Sequence, residues 1–198
     1  QRLTAAITKY YSEKGLTKEL EGYAWEYNLV DSKEVNAWCM PGGKIVVYTG
    51  LLPISQNEAA LAAVMGHEIA HALAKHGNER MSQTMVAQGI QIVGGVATSG
   101  NAKVSGIFNN VYGPAAQVGV LLPNSRKQEL EADRYGLIFS AMAGYNPQEA
   151  IALWQRMEKA GDGQKPPEFL STHPAEATRI QKLQGLMPEA LKYYKPMN

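Results

Sequence analysis

The sequence predicts an α+β chain, mostly α, on three observations. Apolar residues recur at helical spacing over most of the length. Aromatic and β-branched residues crowd into residues 22–49, which marks one small sheet near the N-terminus. An alanine-rich run holding His67-Glu68-Ile69-Ala70-His71 reads as a central, largely buried helix. A length of 198 residues suits a single domain over 1–198, with a helix within residues 1–20 and a tail over 187–198.

The elements follow in order. Leu3, Ile7, Tyr10 and Tyr11 form a helical stripe in residues 1–14, and Gly15 stops it. Residues 23–30, 35–40 and 44–49 read as three strands, with Pro41-Gly42-Gly43 turning between the second and third. Ser55-Gln56-Asn57-Glu58 fits a capping box that opens a long helix running to about His76, ended by Gly77. A second helix is expected over 78–97. Residues 98–124, with scattered glycine, asparagine and serine, read as a loose, mobile segment able to act as a lid. Ser125 and Gln128 cap a helix to Ala143, stopped by Gly144, and Asn146-Pro147 opens another to about Lys159. Residues 161–167 read as a loop, and His173-Pro174 opens a last helix over 175–186.

Composition excludes several functions. With 19 basic and 18 acidic residues the net charge is +1 and no basic stripe appears, which argues against nucleic acid as a partner. A single cysteine, Cys39, rules out an internal disulfide; it reads as a small buried hydrophobe, with a reactive thiol as the alternative. No stretch approaches the ~20 apolar residues of a membrane span. The nearest, residues 85–98, is broken by Gln88 and Gln91 and holds three glycines. A start at Gln1 is that of a mature or trimmed chain, so a signal peptide, lipid-bearing cysteine or membrane anchor upstream would not be visible.

The chemistry sits in the H-E-x-x-H stretch. At ~100° per residue, His67 and His71 lie within ~40° of each other, and Glu68 falls in the same ~100° arc. Two neutral imidazoles on one stripe can grip a zinc ion, with a carboxylate beside them to take a proton from water. A hydrolytic zinc site takes three protein ligands. The metzincin spacing fails, because Ala74 and Gly77 stand where it needs glycine and histidine. His76 points ~140° away from His71 and reads as a helix-end or surface histidine.

A carboxylate must then close the site. Glu129 and Asp133 share a helix face, whereas Glu131 lies ~200° from Glu129. The economical reading makes Glu129 the ligand and Asp133 the acceptor of a histidine N–H, fixing its tautomer. The rival reading is a solvated acidic face paired with Arg126, Lys127 and Arg134.

These residues, with Asn36-Ala37-Trp38, the stretch 41–52, the stretches 58–77 and 125–136, and Ser171-Thr172-His173-Pro174, resemble the HtpX and CAAX-prenyl-protease superfamily of gluzincin metallopeptidases. Its soluble bacterial envelope members are the most similar in pattern. The resemblance implies a zincin-like metallopeptidase domain with one zinc ion held by His67, His71 and Glu129, and Glu68 as general base. Asp133 matches the second carboxylate of the family's E-x-x-x-D. His173 matches a histidine placed to bond the developing oxyanion, or to swing in as a fourth ligand and hold the enzyme latent. Lys44, Ile45 and Val46 would belong to a substrate-binding edge strand that adds an extended peptide.

The implied function is a zinc endopeptidase acting on unfolded or misassembled polypeptides, in quality control on the periplasmic side of a bacterial envelope. The alternative is an envelope chaperone or assembly scaffold with a latent or structural zinc site. A lipid-surface protein is a third reading that lacks a strongly basic amphipathic helix to support it. Hydrolysis would fail in mild acid, as ligand imidazoles protonate around ~6.5 and below.

Overall fold

The computed structural model describes residues 1–116, 121–161, 167, 169–170, 173 and 178–196. They fall into two compact units, residues 1–74 with 130–198, and residues 75–129.

The first unit opens with α1 (Arg2–Glu13), which buries Leu3 and Ile7 and stops where Gly15 takes a left-handed φ of 69°. Strands β1 (Glu26–Val30), β2 (Ala37–Met40) and β3 (Lys44–Tyr48) form a sheet in the order β1-β3-β2. β2 and β3 make an antiparallel hairpin, pairing Ala37 with Val47 and Met40 with Lys44. Its turn is closed by Gly42 and Gly43 at φ 89° and 92°, a region open to glycine at little cost. β1 lies parallel to β3, with Glu26 against Lys44 and Val30 against Tyr48.

This topology corrects the expectation for Lys44, Ile45 and Val46. They lie on the central strand, whose two sides are already paired, so no peptide can add there. The outer strands are β1 and β2. Ile45 and Val47 instead bury their side chains in the core, as the alternation of a half-buried strand requires.

A 3-10 turn (Thr49–Leu51) and a short α2 (Leu52–Ser55) lead into α3 (Glu58–Leu73). The cap is Asn57, whose side chain accepts the Ala60 N–H at 2.8 Å, and Gln56 before it is left-handed at φ 64°. Capping thus falls two residues after Ser55, because Ser55 spends its hydroxyl on the Leu52 carbonyl at 3.1 Å. α3 ends at Leu73, not His76: Lys75 turns left-handed at φ 57°, so His76 and Gly77 open the next helix. Alanines at 60, 62, 63, 70 and 72 keep α3 thin and buried on several sides.

The first unit is completed by the C-terminal part of α6 (Leu122–Met142), by α7 (Glu149–Gly161) and by α8 (Arg179–Leu191). Gly144 ends α6 at φ 83°, as its position after the helix suggests. Ile7, Ile45, Leu51, Ile69, Phe139, Leu153, Met157 and Leu183 belong to one buried cluster. α8 continues past the expected end at Leu186, carrying Pro188 inside it, so residues 187–191 are helix and not tail. Its expected start at Ala175, and most of the loop expected over 161–167, lie outside the described residues.

The second unit holds α4 (His76–Thr98), α5 (Ala102–Ala116) and the start of α6. Residues 102–116 are helical, not loose as expected; Asn101 caps α5 by accepting the N–H groups of Lys103 and Val104. Phe108 packs against Gly94, where an added Cβ would fall 2.1 Å from its ring, and the Tyr112 hydroxyl donates to the Ala87 carbonyl at 3.1 Å. An interior glycine and a half-buried ring outweighed the glycine-rich composition. Residues 117–120 lie outside the described part. Among the described residues no helix is long and apolar enough to cross a membrane.

Within the first unit, α3 and α6 meet backbone to backbone. A Cβ on Gly66 would lie 2.8 Å from the Gly136 carbonyl oxygen, and one on Gly136 would lie 2.8 Å from the His67 nitrogen. Alanine in a helix interior ordinarily gains up to about 1 kcal/mol over glycine. Here the clash with main chain reverses the sign. Gly66→Ala and Gly136→Ala each destabilise by ~1–3 kcal/mol, read as a lower midpoint in urea unfolding; an unchanged or higher midpoint would show that the two helices part freely.

Candidate metal centre

α3 presents His67 and His71 one turn apart, with ring centroids 4.6 Å and Nε2 atoms 3.1 Å from each other. Glu129 comes from α6, and His173 from the chain between α7 and α8. His67, His71, Glu129 and His173 offer ligand atoms that all lie within 4.8 Å of one another, and all four residues are buried. Glu129 is the last residue of the second unit, yet the same helix runs on without a break through Asp133 to Gly136.

The histidines are oriented by buried partners. The Asp133 Oδ1 lies 2.9 Å from His67 Nδ1 and accepts its proton, which leaves the Nε2 lone pair facing the cluster. The same oxygen accepts a bond from Arg179 Nη2 at 2.7 Å. Burial pushes the Asp133 carboxyl up, but the Arg179 charge and the His67 hydrogen bond outweigh it and hold the group below its ordinary value. The Arg179 guanidinium lies 3.6 Å over the Trp154 ring, so its charge is buried on an aromatic face rather than in water.

His173 is fixed from two sides. Its ring stacks on Phe169 at 4.6 Å and 27°, and its N–H donates to the Phe169 carbonyl at 2.9 Å. Phe169 in turn donates its N–H to Val35, just before β2. The His173 ring spans the site: Nδ1 is 3.2 Å from His67 Nε2, and Nε2 is 3.3 Å from Glu68 Oε1. Glu68 is 4% exposed and faces the same cluster, not solvent.

The donor set suits zinc. Two nitrogens held at ~2.1 Å by a tetrahedral ion stand about 3.4 Å apart. The observed separations of 3.1 and 3.2 Å between imidazole nitrogens are close to that edge. Three imidazoles and a carboxylate, buried together, are ligands zinc prefers, and a shared cation would balance the lone pairs turned inward.

Each residue singled out in the sequence has a place. His67, Glu68, His71, Glu129, Asp133 and His173 converge; Glu131 is not part of the cluster. Arg80 Nη2 approaches Glu129 at 3.6 Å within the second unit. His76 is not at the surface but 2% exposed, and it stays outside the cluster. Cys39 is partly buried, with its thiol pushed up to about 12 by burial and then by the Glu68 charge, and its strand β2 packs against α3. Arg179 and Phe169 were not anticipated. Arg179 shares the buried stripe of α8 with Leu183, Met187 and Ala190. An arginine on an apolar stripe was the available signal.

Residues 1–187 match the family described as Peptidase family M48. The mitochondrial metalloendopeptidase OMA1 of Schizosaccharomyces pombe is 38% identical over 168 residues, covering 84% of this chain and 48% of that protein. Its Saccharomyces cerevisiae counterpart is 35% identical over 183 residues, 89% of this chain and 51% of that protein. The β-barrel assembly-enhancing protease of Escherichia coli is 29% identical over 164 residues, 79% of this chain and 33% of that protein. The chain thus spans about half the length of the yeast relatives, and the expected likeness to bacterial envelope members is weaker than the likeness to the mitochondrial ones. A match over nearly the whole length, on a chain whose buried histidines and glutamate gather at one point, leaves no ambiguity of kinship: the chain belongs to peptidase family M48.

Proposed function

We propose that this chain is the catalytic part of a zinc-dependent endopeptidase that cleaves unfolded or misassembled polypeptides. The observation that carries the reading is the buried cluster of His67, His71 and Glu129 with the Glu68 carboxylate turned onto it. His67, His71 and Glu129 would hold the ion, which supplies a Lewis acid and a lowered pKa for bound water. Glu68 takes the proton of the attacking water and passes it to the leaving amine. Asp133 keeps His67 in the tautomer whose Nε2 can bind metal. His173 Nε2, 3.3 Å from Glu68, is placed to hydrogen-bond the oxygen on which charge develops.

Strand addition remains the proposed mode of substrate recognition, moved from β3 to β2. β2 has one side unpaired within the sheet, and its Cys39 lies within electrostatic reach of Glu68. Main-chain pairing there gives loose sequence preference, as a protease of unfolded chains needs. The compartment we propose is the periplasmic side of a bacterial envelope, supported by the E. coli relative alone. The mitochondrial relatives point to another membrane system, and cell fractionation decides between them.

A second reading is favoured by one observation: His173 makes the cluster four-membered, and four protein ligands close a zinc site. A scaffold with a latent site would retain zinc and cleave nothing. Casein digestion with and without a chelator separates the two.

Four outcomes are expected. Glu68→Gln keeps zinc and loses ~10²–10⁴-fold in turnover; a fully active variant removes Glu68 as the base. Metal analysis finds zinc sharply reduced in Glu129→Ala and unchanged in Glu131→Ala; the reverse pattern exchanges the two roles. Asp133→Asn weakens zinc binding by ~10–100-fold in chelator competition. The lowered Asp133 pKa also sets an acid limit. Its ionised form adds stability above the unfolded value of about 3.9, and that stability is lost as pH falls through the lower folded value. Wild type therefore loses more stability than Asp133→Asn between neutral pH and strong acid, measured by urea unfolding at each pH.

A further inference from the structure

The hairpin of α4 and α5 is built inside out. Met85, Val86, Ile92, Val93 and Val96 on α4 are 63–70% exposed, and Ile107 and Val111 on α5 are 61% and 59% exposed. Over residues 81–98, at ~100° per residue, the half of α4 running from Met81 round to Ile90 holds one polar residue, Ser82; Asn78 and Glu79 share that half in the helix's first turn. The side turned to α5 carries Ala87 and Gly94, against Tyr112 and Phe108. A helix of a water-soluble surface shows the opposite arrangement.

Two further observations say what such a face is for. The first is charge. From residue 81 to residue 125 the only charged side chain is Lys103. The unit as a whole carries five cations (Lys75, Arg80, Lys103, Arg126, Lys127) against two carboxylates (Glu79, Glu129), a formal +3 in a chain of +1. Lys75, Arg126 and Lys127 are exposed where the hairpin begins and ends in sequence, and Lys103 is exposed at its tip. The second is internal satisfaction. The Thr84 hydroxyl donates to the Arg80 carbonyl and that of Thr98 to the Gly94 carbonyl, both at 2.9 Å, while Ser99 donates to Val96 at 2.7 Å. Both threonines lie outside the apolar half of α4, and bonding to their own helix spares them a need for water there.

A protein partner would ask for a polar rim and hydrogen bonds spread across the contact. This face offers few such groups over the ~24 Å from residue 81 to residue 97 at 1.5 Å per residue: Ser82 within it and Gln83 and Gln88 at its borders. An acyl layer asks for neither, and its phosphates answer the flanking cations. We propose that the α4–α5 hairpin docks on a phospholipid surface, with the outward face of α4 in the acyl layer and Lys75, Lys103 and Lys127 at the phosphates. Since no described helix is long and apolar enough to cross, the hairpin lies in the interface, ~5–10 Å deep. The proposal goes beyond the protease reading and does not rest on it.

Flotation of the 198-residue chain with vesicles of phosphatidylcholine and phosphatidylglycerol (7:3) tests it. Wild type floats. The triple variant Met85→Glu, Ile92→Glu, Val96→Glu, with helicity and thermal midpoint checked, loses at least about tenfold in partition. A dye on Val93→Cys gives a second reading that does not disturb the face: its emission shifts to shorter wavelength when vesicles are added. Wild type that stays at the bottom of the gradient, a triple variant that floats equally, or a dye that does not shift overturns the proposal. So does a wild-type dimer that the triple variant converts to monomer without any flotation, which would assign the face to a second copy of the chain.

Discussion

The site depends on how closely α3 and α6 approach. Two glycines, Gly66 and Gly136, let carbonyl and amide lie in contact with no side chain between them. One residue beyond Gly66 stands His67, and three residues before Gly136 stands Asp133; their hydrogen bond is the direct result of that register. Glu129 stands one further turn back on α6, four residues before Asp133, and is grouped with the three buried histidines. Interior packing is too dense for this spacing to relax by a methyl group without moving the ligands.

A second requirement follows from burial. An ionised carboxylate next to an imidazole, both nearly hidden from water, needs a compensating charge. Arg179 meets that need, and it is itself sheltered by Trp154. It also reaches the His173 carbonyl at 3.5 Å, so one guanidinium ties the partner of a metal-facing histidine to the segment carrying the other histidine. Phe169 completes the arrangement by stacking on His173 and bonding the chain at Val35.

The sequence made legible what local chemistry controls. The helix of His67 and His71, the three strands, the Pro41-Gly42-Gly43 turn and the shared face of Glu129 and Asp133 all follow from periodicity or turn preference. Strand order did not, because β1 pairs with β3 over a long connection, and no short-range pattern says which strand ends in the middle. The α5 helix was hidden by glycines and asparagines whose use lies in packing, as Gly94 under Phe108 shows. The helix break at Lys75 needed a left-handed lysine that composition cannot reveal. The apolar stripe of α8 marked Arg179 as buried but could not name its partner, because Asp133 lies 46 residues away.

One consequence concerns the lone sulfur of the molecule. Cys39 sits beside Glu68 with its ionisation displaced to about 12, so it stays protonated throughout the physiological range. Alkylation, peroxide attack and disulfide exchange all proceed through the deprotonated form. A soft anionic sulfur close to the ion would also compete with imidazole for the metal. By withholding that anion, strand β2 adds no thiolate to the nitrogen and oxygen donors of the cluster, and Cys39 stays a poor target for oxidants.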